Sequence, residues 1–223
     1  MVLAFASYVE SAERRGVLPA AVDAEVMWPL YAKNFMRLLP EDTRDEQGRR
    51  VLLSQLRHLV DVPEESLERM ICWFVLHASM DPSLTVSGLS VVYDLSGVTL
   101  SDFYRLLRMD SVRIAPAGCF PIRMRRVIIY NQPWWMRIVW GAVWRLMEPK
   151  LRTRVKFLGP DLDLLHRMIC KDALPPTLGG PVHQAAADGG WWQECLNRGH
   201  MLDHFRPSFE IIGNGEDPIE VTV

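Results

Sequence analysis

A chain of 223 residues with 49% hydrophobic and 23% charged side chains has the make-up of a globular protein with one sizeable core, which excludes wholesale disorder. No apolar run approaches the ~20 residues that cross a bilayer, and the opening MVLAFASYVESAERR meets charge too early for a secretory signal, so the expectation is a cytoplasmic protein. The net charge of -2 conceals an asymmetry: residues 121–156 hold nine Lys or Arg against the single acid Glu148, whereas 161–223 hold ten acids and four bases.

In chain order, Ala4 to Arg15 reads as a short helix and Ala20 to Leu39 as a second, interrupted at Trp28-Pro29. Residues 1–39 thus form a helical remnant ahead of the main domain. Pro40 to Gly48 is a polar surface loop, and Arg50 to Leu56 is the first strand. Pro63-Glu64-Glu65 starts a helix whose interior, MICWFVLHA, is apolar almost all round and must be buried. Val86 to Leu95 reads as a strand, Thr99 to Met109 as a helix, Met124 to Tyr130 as a strand, Pro133 to Met147 as a helix and Thr153 to Leu158 as the last strand. This alternation predicts an α/β domain with a largely parallel sheet over residues 40–182. Residues 183–223 form a polar tail in which Trp191-Trp192 offers a docking point.

The predicted helix from Pro133 to Met147 holds four of the eight tryptophans, with Arg137, Gly141 and Arg145 as its narrow polar face. It is either a core helix packed on the sheet or a lid that covers an apolar ligand on one side and meets a membrane interface on the other. Just before it, Arg123 and Arg125 at i and i+2 leave one side of the incoming strand together, and Lys150, Arg152, Arg154 and Lys156 repeat that spacing if extended. Such stripes either protect a solvated edge strand or attract anionic lipid, at about 1 kcal/mol per basic residue near the surface. Nucleic acid is a poor fit, because the pI is near 6.3 and no recognition motif is present.

Catalytic patterns fail where chemistry needs them. LSVVYDLSGVTL resembles a haloacid dehalogenase signature, but Ser96 stands where the second acid belongs, so Asp94 reads as the cap of the turn through Ser96-Gly97. Cys72, Cys119, Cys170 and Cys195 form no CxxC pair and read as reduced, mostly buried thiols. His200 and His204 share an i, i+4 spacing without the Glu of HExxH, and read as solvated. The expectation is a non-enzyme with no catalytic residue, metal or cofactor.

Three motifs in order, YDLSG at 93–97, FPIRMRRVIIYNQPWW at 120–135 and LPPTLGG at 174–180, resemble the CRAL-TRIO lipid-binding family, especially its tocopherol-transfer and retinaldehyde-binding members. The resemblance implies a sheet that floors an apolar pocket, a gate helix over it and a hydrophobic molecule carried unchanged between membranes. It implies a pocket lined by Leu89, Tyr93, Val98, Leu106, Phe120, Met124 and Val127, with Trp134, Trp135, Ile138 and Val139 on the gate. Arg123, Arg125 and Arg126 fall at basic positions that in those carriers contact phosphoinositides. The implied partners are a lipid-like ligand and an anionic membrane surface, met reversibly by a monomer. The alternative is a non-transferring protein-interaction module whose pocket is filled or vestigial.

Overall fold

The computed structural model describes residues 24–59, 62–108, 122–146, 149–182 and 190–203, together with Arg14. Helix α1 (Ala24–Tyr31) is followed by strand β1 (Met36–Leu38), β2 (Arg50–Gln55), a 3-10 turn (Leu56–Leu59), α2 (Glu64–Ser79), α3 (Pro82–Ser87), β3 (Leu89–Asp94) and α4 (Leu100–Arg108). Then come β4 (Met124–Tyr130), α5 (Met136–Leu146), α6 (Pro149–Arg152), β5 (Val155–Gly159), α7 (Leu162–Met168), two 3-10 turns and α8 (Trp191–Asp203).

The five strands lie in the order β1-β2-β3-β4-β5, with β1 antiparallel to β2 and every other pair parallel. A parallel sheet in sequential order with crossovers of one hand puts all the crossover helices on one face. Alternation along the strands divides the core accordingly. Leu52, Val91, Val127 and Ile129 face a cluster that includes Leu67, Met70, Phe74 and Trp135. Val51, Leu53, Val92, Ile128 and Tyr130 face the other side, against Leu165 and Met168 of α7 and Leu174 and Leu178 beyond it. Burial on both faces explains why these strands are continuous apolar runs.

Three expectations need correction. The helix read through Leu39 ends at Tyr31, and Met36–Leu38 is a strand paired with β2, so the sheet begins before residue 40. Val86 is helical, because Asp81 caps α3 by accepting from the Ser83 amide (2.8 Å) and Pro82 fits its first turn; the strand starts only after Gly88. The polar loop at 40–48 is not wholly superficial: Asp45 is buried, accepts from the Gln47 and Arg49 amides (both 2.9 Å) and takes the Ser90 hydroxyl (2.5 Å). The docking point Trp191-Trp192 lies in α8, where Trp191 is fully buried between Trp73 (5.4 Å between ring centroids) and Phe74 (5.2 Å), and Trp192 stacks on Trp73 at 4.9 Å. The helix expected at Ala4 to Arg15 lies outside the described residues, apart from Arg14.

His77 of α2 is buried beside Trp73 (4.6 Å), and its Nδ1 has no hydrogen-bond partner. Burial, reinforced by Arg198, holds its pKa down from 6.5 to about 4. The unfolded chain takes up this proton as the pH falls through 6.5, whereas the folded protein resists until about 4. The stability His77 confers by remaining neutral is therefore full above pH 6.5 and lost as the pH falls from 6.5 to 4, by about 3 kcal/mol. Denaturant unfolding at pH 7.5 and 4.5 checks this: His77→Leu is expected to lose less stability than wild type between the two, and equal losses would refute it.

Candidate functional site

The face of the sheet turned toward α2, α4 and α5 carries most of the residues expected to line a pocket. Leu89, Val98 and Val127 are buried in its cluster, and Tyr93, Leu106, Met124 and Val139 are partly buried against it. Trp135, 9% exposed, closes onto Phe103 of α4 with ring centroids 5.5 Å apart, so the turn leading into α5 meets α4 over the sheet. Phe120 lies outside the described residues. Trp134, in the turn before α5, and Ile138 of α5 do not line this interior: they are 77% and 73% exposed and face outward. Phe103 and Met136 belong to the interior and were not singled out; for Phe103, its three-residue spacing from Leu106 was the available signal.

Tyr93 keeps accessible surface although protein surrounds its ring, and desolvation alone pushes its hydroxyl above the ordinary pKa of 10.

The root of α5 is held from several sides. Asn131 adopts a left-handed conformation (φ 51°), donates from its amide nitrogen to Ser96 Oγ (2.8 Å) and pairs its backbone N–H with the Gly159 carbonyl (2.6 Å). Gln132 Oε1 accepts from the Gly159 amide at 2.9 Å. Asp94 is buried, accepts from the Ser96 amide (2.9 Å) and hydroxyl and from Gln55 Nε2 (3.2 Å), and so caps the turn through Ser96 and Gly97. The helix itself begins at Met136 rather than Pro133, because Trp134 and Trp135 occupy the turn that redirects the chain.

The basic residues divide differently from their spacing. Leu89 pairs with Met124 and Ser90 with Arg126, so Arg125 is the extra residue of a β-bulge and strict alternation breaks there. Arg123 is exposed and Arg125 half-buried, its stem lying over Gly88, where a Cβ would come within 2.6 Å of it. Arg126 is turned to the opposite face, buried and ion-paired to Glu46 at 2.7 Å, and is thereby unavailable to a membrane. Nor is 150–156 one extended stripe, since α6 makes a helical turn of Pro149–Arg152. Arg152 instead lies over the Trp144 ring (5.7 Å), Arg154 Nη1 donates to the Met124 carbonyl (2.8 Å), and Lys156 alone of the four is in β5. Exposed Phe157 meets Trp140 edge-on at 4.6 Å, continuing the aromatic surface of α5 onto the sheet edge.

Cys72 and Cys195 are buried thiols, Cys170 is exposed and Cys119 lies outside the described residues, as does His204. Among the described residues no helix is long and apolar enough to cross a membrane, and no three His, Cys, Asp or Glu side chains converge as for a metal.

The sequence matches the family model for the CRAL/TRIO domain over residues 37–180, more than half of the chain. The chain belongs to the CRAL/TRIO domain family. The CRAL/TRIO match begins within β1 and ends in the LPPTLGG segment, enclosing β2 to β5 and α5. Human clavesin-2 is 30% identical over 173 residues, covering 72% of this chain and 48% of clavesin-2. Clavesin-1 of Xenopus laevis is 27% identical over 161 residues, 70% of this chain and 47% of its own. Human tyrosine-protein phosphatase non-receptor type 9 is 25% identical over 184 residues, 80% of this chain and 30% of the phosphatase. The chain thus spans about half the length of the clavesins it matches. Among solved structures, the crystal structure of Sfh5 shares the fold, with a TM-score of 0.54 at 15% identity over 68% of this chain and 57% of that one. The CRAL/TRIO family is one of domains that bind lipophilic molecules, and the mostly parallel five-stranded sheet is its fold here.

Proposed function

We propose that this chain binds one lipophilic molecule between the sheet and α4–α5 and transfers it between membranes, with α5 as the gate. The observation that carries this reading is the two-sided aromatic pair at the gate. Trp135 points in, against Phe103, while its neighbour Trp134 and Ile138 point out, at 77% and 73% exposure. An exposed Trp and Ile on a helix flanked by Arg137, Arg145 and Lys150, all exposed, suits entry into an anionic interface. Arg123 and Arg125 are proposed to dock on phosphoinositide headgroups, without Arg126, and the protein acts as a monomer that meets the membrane peripherally from the cytoplasm. One observation favours the other reading, a non-transferring interaction module: Trp135 and Met136 are built into the core cluster, as in a pocket filled by its own side chains.

Vesicle sedimentation tests the docking. Arg123→Ala together with Arg125→Ala is expected to weaken binding to phosphoinositide vesicles roughly thirtyfold, on about 1 kcal/mol per cation near the surface, and rising salt should erode the wild-type advantage. Binding that survives the double substitution unchanged would remove these arginines from the mechanism. Transfer itself is tested by moving a fluorescent lipid between donor and acceptor vesicles, and a protein that holds lipid but never accelerates exchange would support the interaction module.

A further inference from the structure

Thr153 is bracketed by cations: Lys150 three residues before it, Arg152 and Arg154 on either side, and Lys156 three residues after. No other Ser or Thr of the chain has basic residues at all four of these positions. The threonine is exposed in the turn between α6 and β5, and its hydroxyl donates to the Lys150 carbonyl (3.0 Å) within that turn. Other hydroxyls near the surface sit beside acids instead. Thr99 donates to Asp102 (2.6 Å) and Ser83 to Asp81 (2.7 Å), each as part of a helix cap.

The place of this turn in the sheet gives the hydroxyl its importance. Val155 is the parallel partner of Val127, the Val127 amide donates to the Arg154 carbonyl (2.9 Å), and Arg154 Nη1 donates to the Met124 carbonyl (2.8 Å). Thr153 therefore lies beside the entry of β4, where Arg123 and Arg125 stand. On its other side Arg152 reaches over the Trp144 ring and donates to the Arg145 carbonyl (3.2 Å), which joins the turn to the end of α5. A phosphate on Thr153 would bring a charge of about -1.5 to -2 into the middle of these cations and give them an intramolecular partner in place of a lipid headgroup. Access to a kinase cleft is also cheap here. The segment ahead of Thr153 is a single helical turn, Pro149–Arg152, which opens at far less cost than the paired strands.

We propose that Thr153 is a phosphorylation site for a basophilic protein kinase, one whose acidic cleft takes cationic sequences, and that its phosphate releases the protein from anionic membranes. This rests on the docking read above for Arg123 and Arg125 and deepens it by adding its regulation. In the modification the Thr153 hydroxyl oxygen forms a bond to the γ-phosphorus of ATP, and the bond from that phosphorus to the bridging oxygen breaks. ADP departs with the electron pair, and the hydroxyl proton is released.

The test treats the full chain with ATP and the catalytic domain of protein kinase C, maps the phosphate by fragment mass spectrometry, and measures sedimentation with vesicles of phosphatidylcholine and phosphatidylinositol bisphosphate. One phosphoryl group is expected on Thr153, and Thr153→Ala should escape modification at this turn while binding vesicles as wild type does. The phosphorylated protein is expected to bind roughly thirtyfold more weakly than the unmodified protein, the effect of cancelling two cations near the surface, and added salt should shrink the difference. Thr153→Glu, with one charge, should weaken binding severalfold, and both the phosphorylated and Glu forms should melt with wild type. Absence of phosphate from Thr153, phosphorylated protein that binds undiminished, or weaker binding that comes with loss of the fold would overturn the switch while leaving the docking intact. Unmodified wild type that ignores the anionic vesicles would overturn the docking and the switch with it.

Discussion

Trp191→Ala is expected to destabilise the protein by about 3–5 kcal/mol, the range for truncating a fully buried aromatic, and to lower the denaturant midpoint without a new intermediate. Trp191 has no solvent contact, meets Trp73 edge-on and packs on Phe74, so its loss leaves a cavity at the centre of the cluster rather than at its margin. The same aromatic group draws in Trp192, which lies 4.7 Å from Tyr31 and 5.0 Å from Trp28, and thereby ties α8 to α1 across α2. A second link runs through Asp81, whose carboxylate receives Arg50 at 3.5 Å and Arg198 of α8 at 4.0 Å. A loss below 1 kcal/mol would show instead that α8 opens independently of the rest and is not part of the folding unit.

Trp135→Asp is the second large effect, and it separates the gate from the fold. The indole is 9% exposed and faces Phe103, so an aspartate there is placed against an aromatic ring and takes a desolvation cost of several kcal/mol unless the helix moves. The root of α5 is held independently by Asn131 and Gln132, so the cheapest relief is for α5 to lift from α4 while the sheet stays intact. The variant is expected to lose a pre-loaded lipophile at least tenfold faster than wild type, with near-native far-ultraviolet circular dichroism. Trp134→Asp, one residue earlier and 77% exposed, should leave retention unchanged and weaken vesicle binding instead. Identical behaviour of the two variants would argue against a helix with distinct inner and outer sides.

The central strands were legible because each is a short apolar run between breakers, and β4 lies where the sequence placed it, at Met124 to Tyr130. What escaped depended on long-range pairing. Met36-Arg37-Leu38 is too short to show a period of two, and only its antiparallel partner Leu52-Leu53-Ser54 makes it a strand. The helix at Pro82–Ser87 did carry a local signal in Asp81-Pro82-Ser83, an N-cap followed by a first-turn proline, which was outweighed by the β-branched Val86. The β-bulge at Arg125 leaves no trace in composition, so counting by twos put Arg123 and Arg125 on one side and missed the inward turn of Arg126. The site was legible through its motifs, YDLSG and NQPWW, whereas the partition of the gate tryptophans into inner and outer depended on where the helix begins. A start at Met136 rather than Pro133 puts Trp134 and Trp135 in a turn, on opposite sides of the chain.

Strand β4 separates the two features proposed to meet a membrane, Arg123 before its first residue and Trp134 beyond its last. At ~3.3 Å per residue, the stretch from Arg123 to Asn131 alone spans roughly 26 Å, close to the thickness of a bilayer's hydrocarbon core. A flat surface touching both ends must therefore lie along the strands, broadside to the sheet, and not across the strand ends as for a ligand entering an open α/β crevice. The molecule would rest on its long side, and Lys156 and Phe157, exposed on the edge strand β5, are the side chains that lie between the two contacts.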